Sequence, residues 1–313
     1  MSFVDNFNDV ILLKKLLPYF CENESLKINP LKVKAFNHIF VVGCGRKKYL
    51  IKVSPDKKRD FIFFERNFLY REAYFLKKAE IYFGFCPDIK RYGRLQKGER
   101  EYIVISFIDG KIFDDLLVRK KKRNFEKLYY DFGRNVRKLH SIRNKRKIFG
   151  YPGSFFRSWF DFILFLSESF DFELKKRGLE IGKKIKLKIL ADKLEKDFRL
   201  VKEPFFVHGD LWEKNILVFT KKDGFGIRAF IDFERAVWGD ADFEWVFHLH
   251  NLPQSFYNGY GRKVRKTVKN DFYGLFFCIN AIIEESIYFK RKKVYENLLK
   301  KAFVFFEKIK KGL

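Results

Sequence analysis

Apolar and polar positions change period several times along this chain, and each change marks an element. Residues 6 to 20 carry Leu12, Leu13, Leu16 and Leu17 on one side of a short predicted helix. From Lys32 to Val53 the spacing shortens to that of strands. Phe40-Val41-Val42 and Tyr49-Leu50-Ile51-Lys52-Val53 flank a Gly43-Cys44-Gly45 turn and predict a hairpin. A helical stretch runs from about Phe61 to Glu80, followed by two strands, Ile89 to Leu95 and Tyr102 to Phe107, around a Lys97-Gly98 turn. Past Asp109-Gly110 the pattern becomes mostly helical. An amphipathic helix spans about Phe125 to His140, with Leu128, Phe132, Val136 and Leu139 three or four residues apart. Residues 157 to 200 continue in that style. Pro204 then introduces Phe205-Phe206-Val207, a short strand of the buried type. Asn215 to Phe219 and Ile227 to Asp232 read as strands joined at Asp223-Gly224, and the chain beyond Asp240 is mostly helical.

This order, β-β-α-β-β and then helices, predicts an α+β protein of two lobes. A small mixed lobe takes residues 1–109 and a larger helical lobe residues 110–313, with the boundary at Asp109-Gly110. The 313 residues exceed what one compact core needs, and 47% apolar content allows a sizeable core. The formal net charge of +27 raises the possibility of a nucleic-acid or acidic-membrane partner. The basic residues fall in short scattered runs, Arg119 to Arg123, Arg143 to Lys147, Lys183 to Lys188 and Lys290 to Lys293. With no long basic tail and no Arg/aromatic RNA-binding signature, a solvated basic surface is the favoured reading and nucleic-acid binding a rival one. Cys21, Cys44, Cys86 and Cys278 form no C-x-x-C pair, so neither a zinc site nor a redox dithiol is indicated, and reduced thiols in the cytoplasm are expected. The N-terminus lacks the basic and apolar regions of a signal peptide, and no uncharged apolar stretch approaches 18 residues, so no membrane insertion is expected.

The chemistry concentrates in His208-Gly209-Asp210-Leu211-Trp212-Glu213-Lys214-Asn215 and, soon after, Phe230-Ile231-Asp232-Phe233-Glu234. Phosphoryl transfer asks a protein for positioning, for a metal on the phosphates and for a carboxylate that orients the attacking hydroxyl. Mg²⁺ takes hard oxygen ligands, typically one or two carboxylates with phosphate and water. An Asp on a tight loop, an Asn at a strand start and an Asp ending the next strand supply these groups.

The H-G-D-x-x-x-x-N pattern with the following I-D-x-E resembles the catalytic segment of the aminoglycoside phosphotransferase and choline kinase superfamily, whose fold is like that of protein kinases. The resemblance covers roughly residues 30 to 250. It implies an ATP- and Mg²⁺-dependent kinase acting on the hydroxyl of a small molecule, with ATP between the lobes. Asp210 would be the catalytic base, Asn215 and Asp232 the magnesium ligands, and Glu234 an aid to the metal. Lys52 resembles the strand lysine that holds the α- and β-phosphates, and Glu72 its helical partner, with Glu65 one heptad earlier as an alternative. Ser106, Phe107 and Ile108 resemble the hinge whose backbone meets adenine. Gly133 to His140 resembles the family helix ending in Leu-His.

The chain also departs from the family. The phosphate-covering turn, near Ala35-Phe36-Asn37-His38, lacks G-x-G-x-x-G, and Ala241 and Glu244 replace the usual Pro and Asp of G-D-P-x-x-D. Absence of D-F-G and A-P-E favours a small-molecule acceptor over a protein, leaving a protein kinase or a weakly active kinase-fold regulator as the other rival. Glu234, Asp240, Asp242 and Glu244 also read as a solvated or helix-capping cluster, and His208 as a structural brace.

Overall fold

The computed structural model describes residues 26–31, 36–55, 60–95, 100–119, 125–222 and 224–313. The helix expected over residues 6 to 20, the Lys97-Gly98 turn and Asp223 lie outside them. The chain divides into two compact units. The first joins the residues up to Lys111 with Leu217–Phe219 and Arg228–Glu234; the second takes Ile112–Ile216, Thr220–Ile227 and Arg235–Leu313.

In the first unit, strands β1 (Leu26–Pro30), β2 (His38–Cys44) and β3 (Lys47–Val53) are followed by helix α1 (Phe68–Tyr82) and strands β4 (Ile89–Leu95) and β5 (Arg100–Ser106). They form an antiparallel sheet in the order β1-β2-β3-β5-β4. Strand β1 was not foreseen; with only Leu26 and Ile28 alternating it gives almost no periodic signal, and its Pro30 is tolerated on an edge strand. Helix α1 starts later than expected. Asn67 adopts a left-handed conformation (φ 59°), and Glu65 ends a 3₁₀ turn by accepting the Ile62 N–H at 3.0 Å. Alternation along β3 sorts its side chains. Ile51 and Val53 join Phe40, Val42, Tyr102 and Val104 in one buried cluster, while Lys52 points the other way, toward α1, which packs on β4 and β5.

The second unit begins at Ile112, the last residue of the two-residue strand β6 (Lys111–Ile112), and continues with helices α2 (Phe113–Arg119) and α3 (Glu126–Leu139), the latter within a residue of its predicted limits. Strands β7 (Phe149–Tyr151) and β8 (Ser154–Phe156) precede α4 (Trp159–Lys176) and three short helices, α5 (Ile181–Lys184), α6 (Leu187–Lys193) and α7 (Glu195–Arg199). Then come β9 (Phe205–Val207), the hairpin β10 (Ile216–Lys221) and β11 (Gly224–Phe230), of which Leu217–Phe219 and the residues from Arg228 count with the first unit, and β12 (Val237–Gly239). Helices α8 (Val246–Leu249), α9 (Gln254–Tyr260), α10 (Val268–Glu284) and α11 (Lys292–Gly312) complete the chain. One small sheet has the order β8-β7-β12-β9 and another β11-β10-β6. Strands of three residues, such as β7, β8 and β12, are too short to show a period of two.

One expectation, that the thiols are reduced, needs correction, and one helix bears on membrane insertion. Helix α10 with its π-helical extension, Val268–Phe289, is long and apolar enough to cross a membrane by length and composition, although no uncharged run within it approaches 18 residues. However, 72% of its apolar window is buried inside the protein, as befits a core helix that buries Ile279 and carries Phe272, Tyr273 and Phe276 against neighbouring aromatic rings. The thiols are not all reduced. Cys44 is disulfide-bonded, while Cys86 and Cys278 are free and buried, and burial pushes each of those thiols up to about 12.

Candidate active site

In the first unit the strand–helix arrangement delivers Lys52 to Glu72. The lysine Nζ donates to Glu72 Oε1 at 2.8 Å and Oε2 at 2.9 Å, and also to Asp232 Oδ1 at 2.6 Å. Glu65 is occupied by Ile62, so the choice between the two glutamates falls to Glu72. Burial alone would lower the Lys52 ammonium, but the carboxylates of Asp232, Glu72 and Glu234 outweigh it and hold its pKa above the ordinary lysine value. Burial acts oppositely on Glu72, pushing its carboxyl up more than Lys52 pulls it down. These directions pull against each other. A carboxylate meeting an ammonium with both oxygens is the geometry of an ionised pair, and we read both groups as charged.

Asp232 sits at φ 70°, in the left-handed region that non-glycine residues rarely adopt. Its side chain is 35% exposed, against 0% for that of Glu72. Glu234 is buried and accepts a hydrogen bond from Asn37 Nδ2 at 2.8 Å. Ligand oxygens of Glu72, Asp232 and Glu234 lie within 4.8 Å of one another. This set of hard oxygen donors, with Asp232 reachable from solvent, fits a divalent cation such as Mg²⁺. Of the residues expected to meet adenine, Ser106 ends β5 and Phe107 and Ile108 follow it. Ser106 exchanges hydrogen bonds with Asp88, its N–H to the Asp88 carbonyl at 2.9 Å and its Oγ accepting from the Asp88 N–H at 2.8 Å. The Phe107 N–H goes to the Lys48 carbonyl at 3.2 Å.

The second unit builds the His208 loop. Strand β9 pairs with β12, Val207 opposite Val237. The chain then turns at Asp240, where Phe243 N–H reaches the Asp240 carbonyl at 2.8 Å, and arrives at Glu244. Glu244 is fully buried. Its Oε1 accepts the N–H groups of Gly209 (2.9 Å) and Leu211 (3.4 Å), and its Oε2 accepts those of His208 (2.9 Å) and the His140 ring Nε2 (3.2 Å). His140 Nδ1 is held in turn by the Tyr260 hydroxyl at 2.9 Å. The loop is therefore clamped from beneath by one carboxylate. Sequence reasoning grouped Glu244 with a solvated cluster; the usable signal was its place in the G-D-P-x-x-D-like segment. Asp240 and Asp242 are structural here, holding Tyr273 and Lys269, and Arg262 and Asn270, respectively.

Above the clamp, Asn215 donates its amide nitrogen to the Asp210 carbonyl at 2.7 Å and to Asp210 Oδ2 at 3.1 Å. That fixes the Asp210 carboxylate and leaves the Asn215 amide oxygen, the end a metal would use, outside the contact. Gly209 allows the turn for two reasons. Its φ is +77°, and a Cβ would lie 2.3 Å from the Arg235 carbonyl oxygen. Gly209→Ala is expected to cost roughly 2 kcal/mol or more through left-handed strain and that collision; an unchanged melting temperature would contradict this account of the loop.

The profile described as the APH phosphotransferase enzyme family matches residues 28–271. No curated protein matches the chain. Among solved structures, a candidate fructosamine-3-kinase from Haemophilus somnus 129PT aligns at 17% identity with TM-score 0.64, covering 95% of this chain and 97% of that one. A thermostable mutant of aminoglycoside phosphotransferase APH(4)-Ia aligns at 15% identity and TM-score 0.64, covering 94% and 98%. The streptomycin–ATP ternary complex of APH(2")-IIa aligns at 18% identity and TM-score 0.58, covering 93% and 96%. At such identities these likenesses establish the fold alone, the two-lobed protein-kinase-like α+β fold. With the family profile spanning most of its length, the chain belongs to the phosphotransferase enzyme family.

Proposed function

We propose that this protein moves the γ-phosphate of Mg-ATP to a hydroxyl of a small molecule such as a sugar, an amino alcohol or an aminoglycoside-like compound. The observation that carries the reading is the contact of Lys52 with both Glu72 and Asp232, a buried ammonium fixed beside carboxylates whose oxygens suit a divalent cation. Lys52 would hold the α- and β-phosphates, with Glu72 keeping it in place. Asn215, Asp232 and Glu234 would hold Mg²⁺, which supplies neutralisation of phosphate charge. The backbone of Ser106, Phe107 and Ile108 would meet the adenine. Asp210, its carboxylate steadied by Asn215, would accept a hydrogen bond from the acceptor hydroxyl and align it for in-line attack. Family membership and neighbours named for aminoglycoside and fructosamine kinases support a small hydroxylated acceptor.

The test is a thermal-shift screen of the wild-type protein with Mg-ATP and a metabolite library, followed by ADP-release assays on the hits. A nucleotide shift that depends on Mg²⁺, with ADP release stimulated by one hydroxylated compound class, is expected. No response to nucleotide, or preferential phosphorylation of proteins over the library, would overturn the proposal.

A further inference from the structure

Asn37 stands immediately before β2, in the segment that the family resemblance would set over the phosphates. The pairing of His38 with Val53 and of Ile39 with Lys52 sets this segment beside the end of β3 that carries the lysine. Asn37 is 6% exposed, and its Nδ2 donates to Glu234 Oε2 at 2.8 Å across 197 residues of sequence. A carboxylate can only accept, so the amide nitrogen must face Glu234 and the amide oxygen must face away from it. That oxygen is buried and has no hydrogen-bond partner among the described residues. Folded proteins rarely leave such an acceptor unmet, and Glu234 belongs to the trio whose oxygens lie within 4.8 Å of one another. All of these residues lie in the first unit.

We infer that Asn37 is a positioning residue for the divalent cation that accompanies the nucleotide: its N–H orients the Glu234 carboxylate, and its unmet oxygen accepts a hydrogen bond from a water of the cation's hydration shell. The inference rests on the nucleotide-site reading above. It assigns a role on both sides of one amide. The nitrogen side is occupied already, and the oxygen side waits for a donor that arrives with the ligand, since a cation of this kind keeps several of its waters when bound. Removing the amide would take this hydrogen bond from Glu234 and leave the hydration shell without this acceptor.

Mn²⁺ serves as the probe, because its free signal can be followed by electron paramagnetic resonance in titrations of the whole protein with ADP present. Asn37→Ala and Asn37→Asp should each weaken Mn²⁺ binding roughly tenfold or more, the loss expected for a hydrogen bond to a charged group. Binding of ADP without metal should stay near the wild-type value. Asn37→Asp matters because it keeps the shape while setting a carboxylate against Glu234; undiminished Mn²⁺ binding in that variant would sink the donor role. Asn37→Ser, which retains a short donor, should fall between wild type and Asn37→Ala, and it replaces Asn37→Ala should that variant not fold. If wild type binds Mn²⁺ with ADP and the variants bind it equally well, the inference fails while the nucleotide site stands. If wild type itself binds no Mn²⁺ with ADP, the site reading fails and the inference with it.

Discussion

Glu244→Gln is expected to destabilise the protein by roughly 2–6 kcal/mol, because it strands about two of four buried donors at 1–3 kcal/mol each. The carboxylate offers acceptor sites on two oxygens, and all four partners, the N–H groups of His208, Gly209 and Leu211 and the His140 ring, use them. An amide of the same shape keeps one oxygen and turns an NH₂ toward N–H groups, so one pair of donors loses its acceptor and is repelled. Against a total stability of about 5–15 kcal/mol this is a large fraction. Glu244→Asp keeps both oxygens but reaches one methylene less far, so it should lie between. Calorimetric melting of the three proteins checks the order wild type, Asp, Gln. A Gln variant melting within about a degree of wild type would show that the clamp contributes little. Loss of the clamp should also loosen the Asp210 loop, so activity per folded molecule should fall in the same order.

That Glu244 reads from the sequence as one of a solvated or capping cluster says much about what this sequence displays. Hydrophobic period revealed the long elements, α3 above all, since a helix of several turns repeats its apolar face often enough to be seen. The hairpin carrying Lys52 was legible through its turn and its flanking β-branched and aromatic residues. The loop chemistry was legible because His208-Gly209-Asp210 and Asn215 stand close in sequence. By contrast, Glu244 lies 36 residues from His208, and Asn37 lies 197 from Glu234. Contacts of that kind are set by strand pairing, here β9 with β12 and β2 with β3, and leave no local pattern. An acidic residue among acidic residues looks solvated until the fold buries it. The choice between Glu65 and Glu72 was open for the same reason. Both suit one helical face, and it took the left-handed Asn67 to end the preceding turn and give each glutamate a separate task.

Asp210→Asn should lower phosphotransfer about 10²–10⁴-fold, the range for loss of a positioned acid–base group, while Mg-ATP affinity stays near wild type. The separation of the two readouts follows from how the loop is held. Its backbone is fixed by Glu244 from below and by the Asn215 contact to the Asp210 carbonyl; neither uses the Asp210 carboxylate to shape the turn. On the proposed mechanism the substitution therefore removes the acceptor for the substrate's proton and leaves the scaffold standing. It also removes the charge that Asn215 steadies at 3.1 Å, which costs alignment as well as basicity. Because the transition state of phosphoryl transfer is loose and little proton transfer is needed early, alignment is expected to account for much of the loss. Single-turnover rates and nucleotide titration on one preparation separate chemistry from binding. Turnover within about threefold of wild type would remove Asp210 from the mechanism, whereas a parallel loss of nucleotide affinity and melting temperature would make it a structural residue.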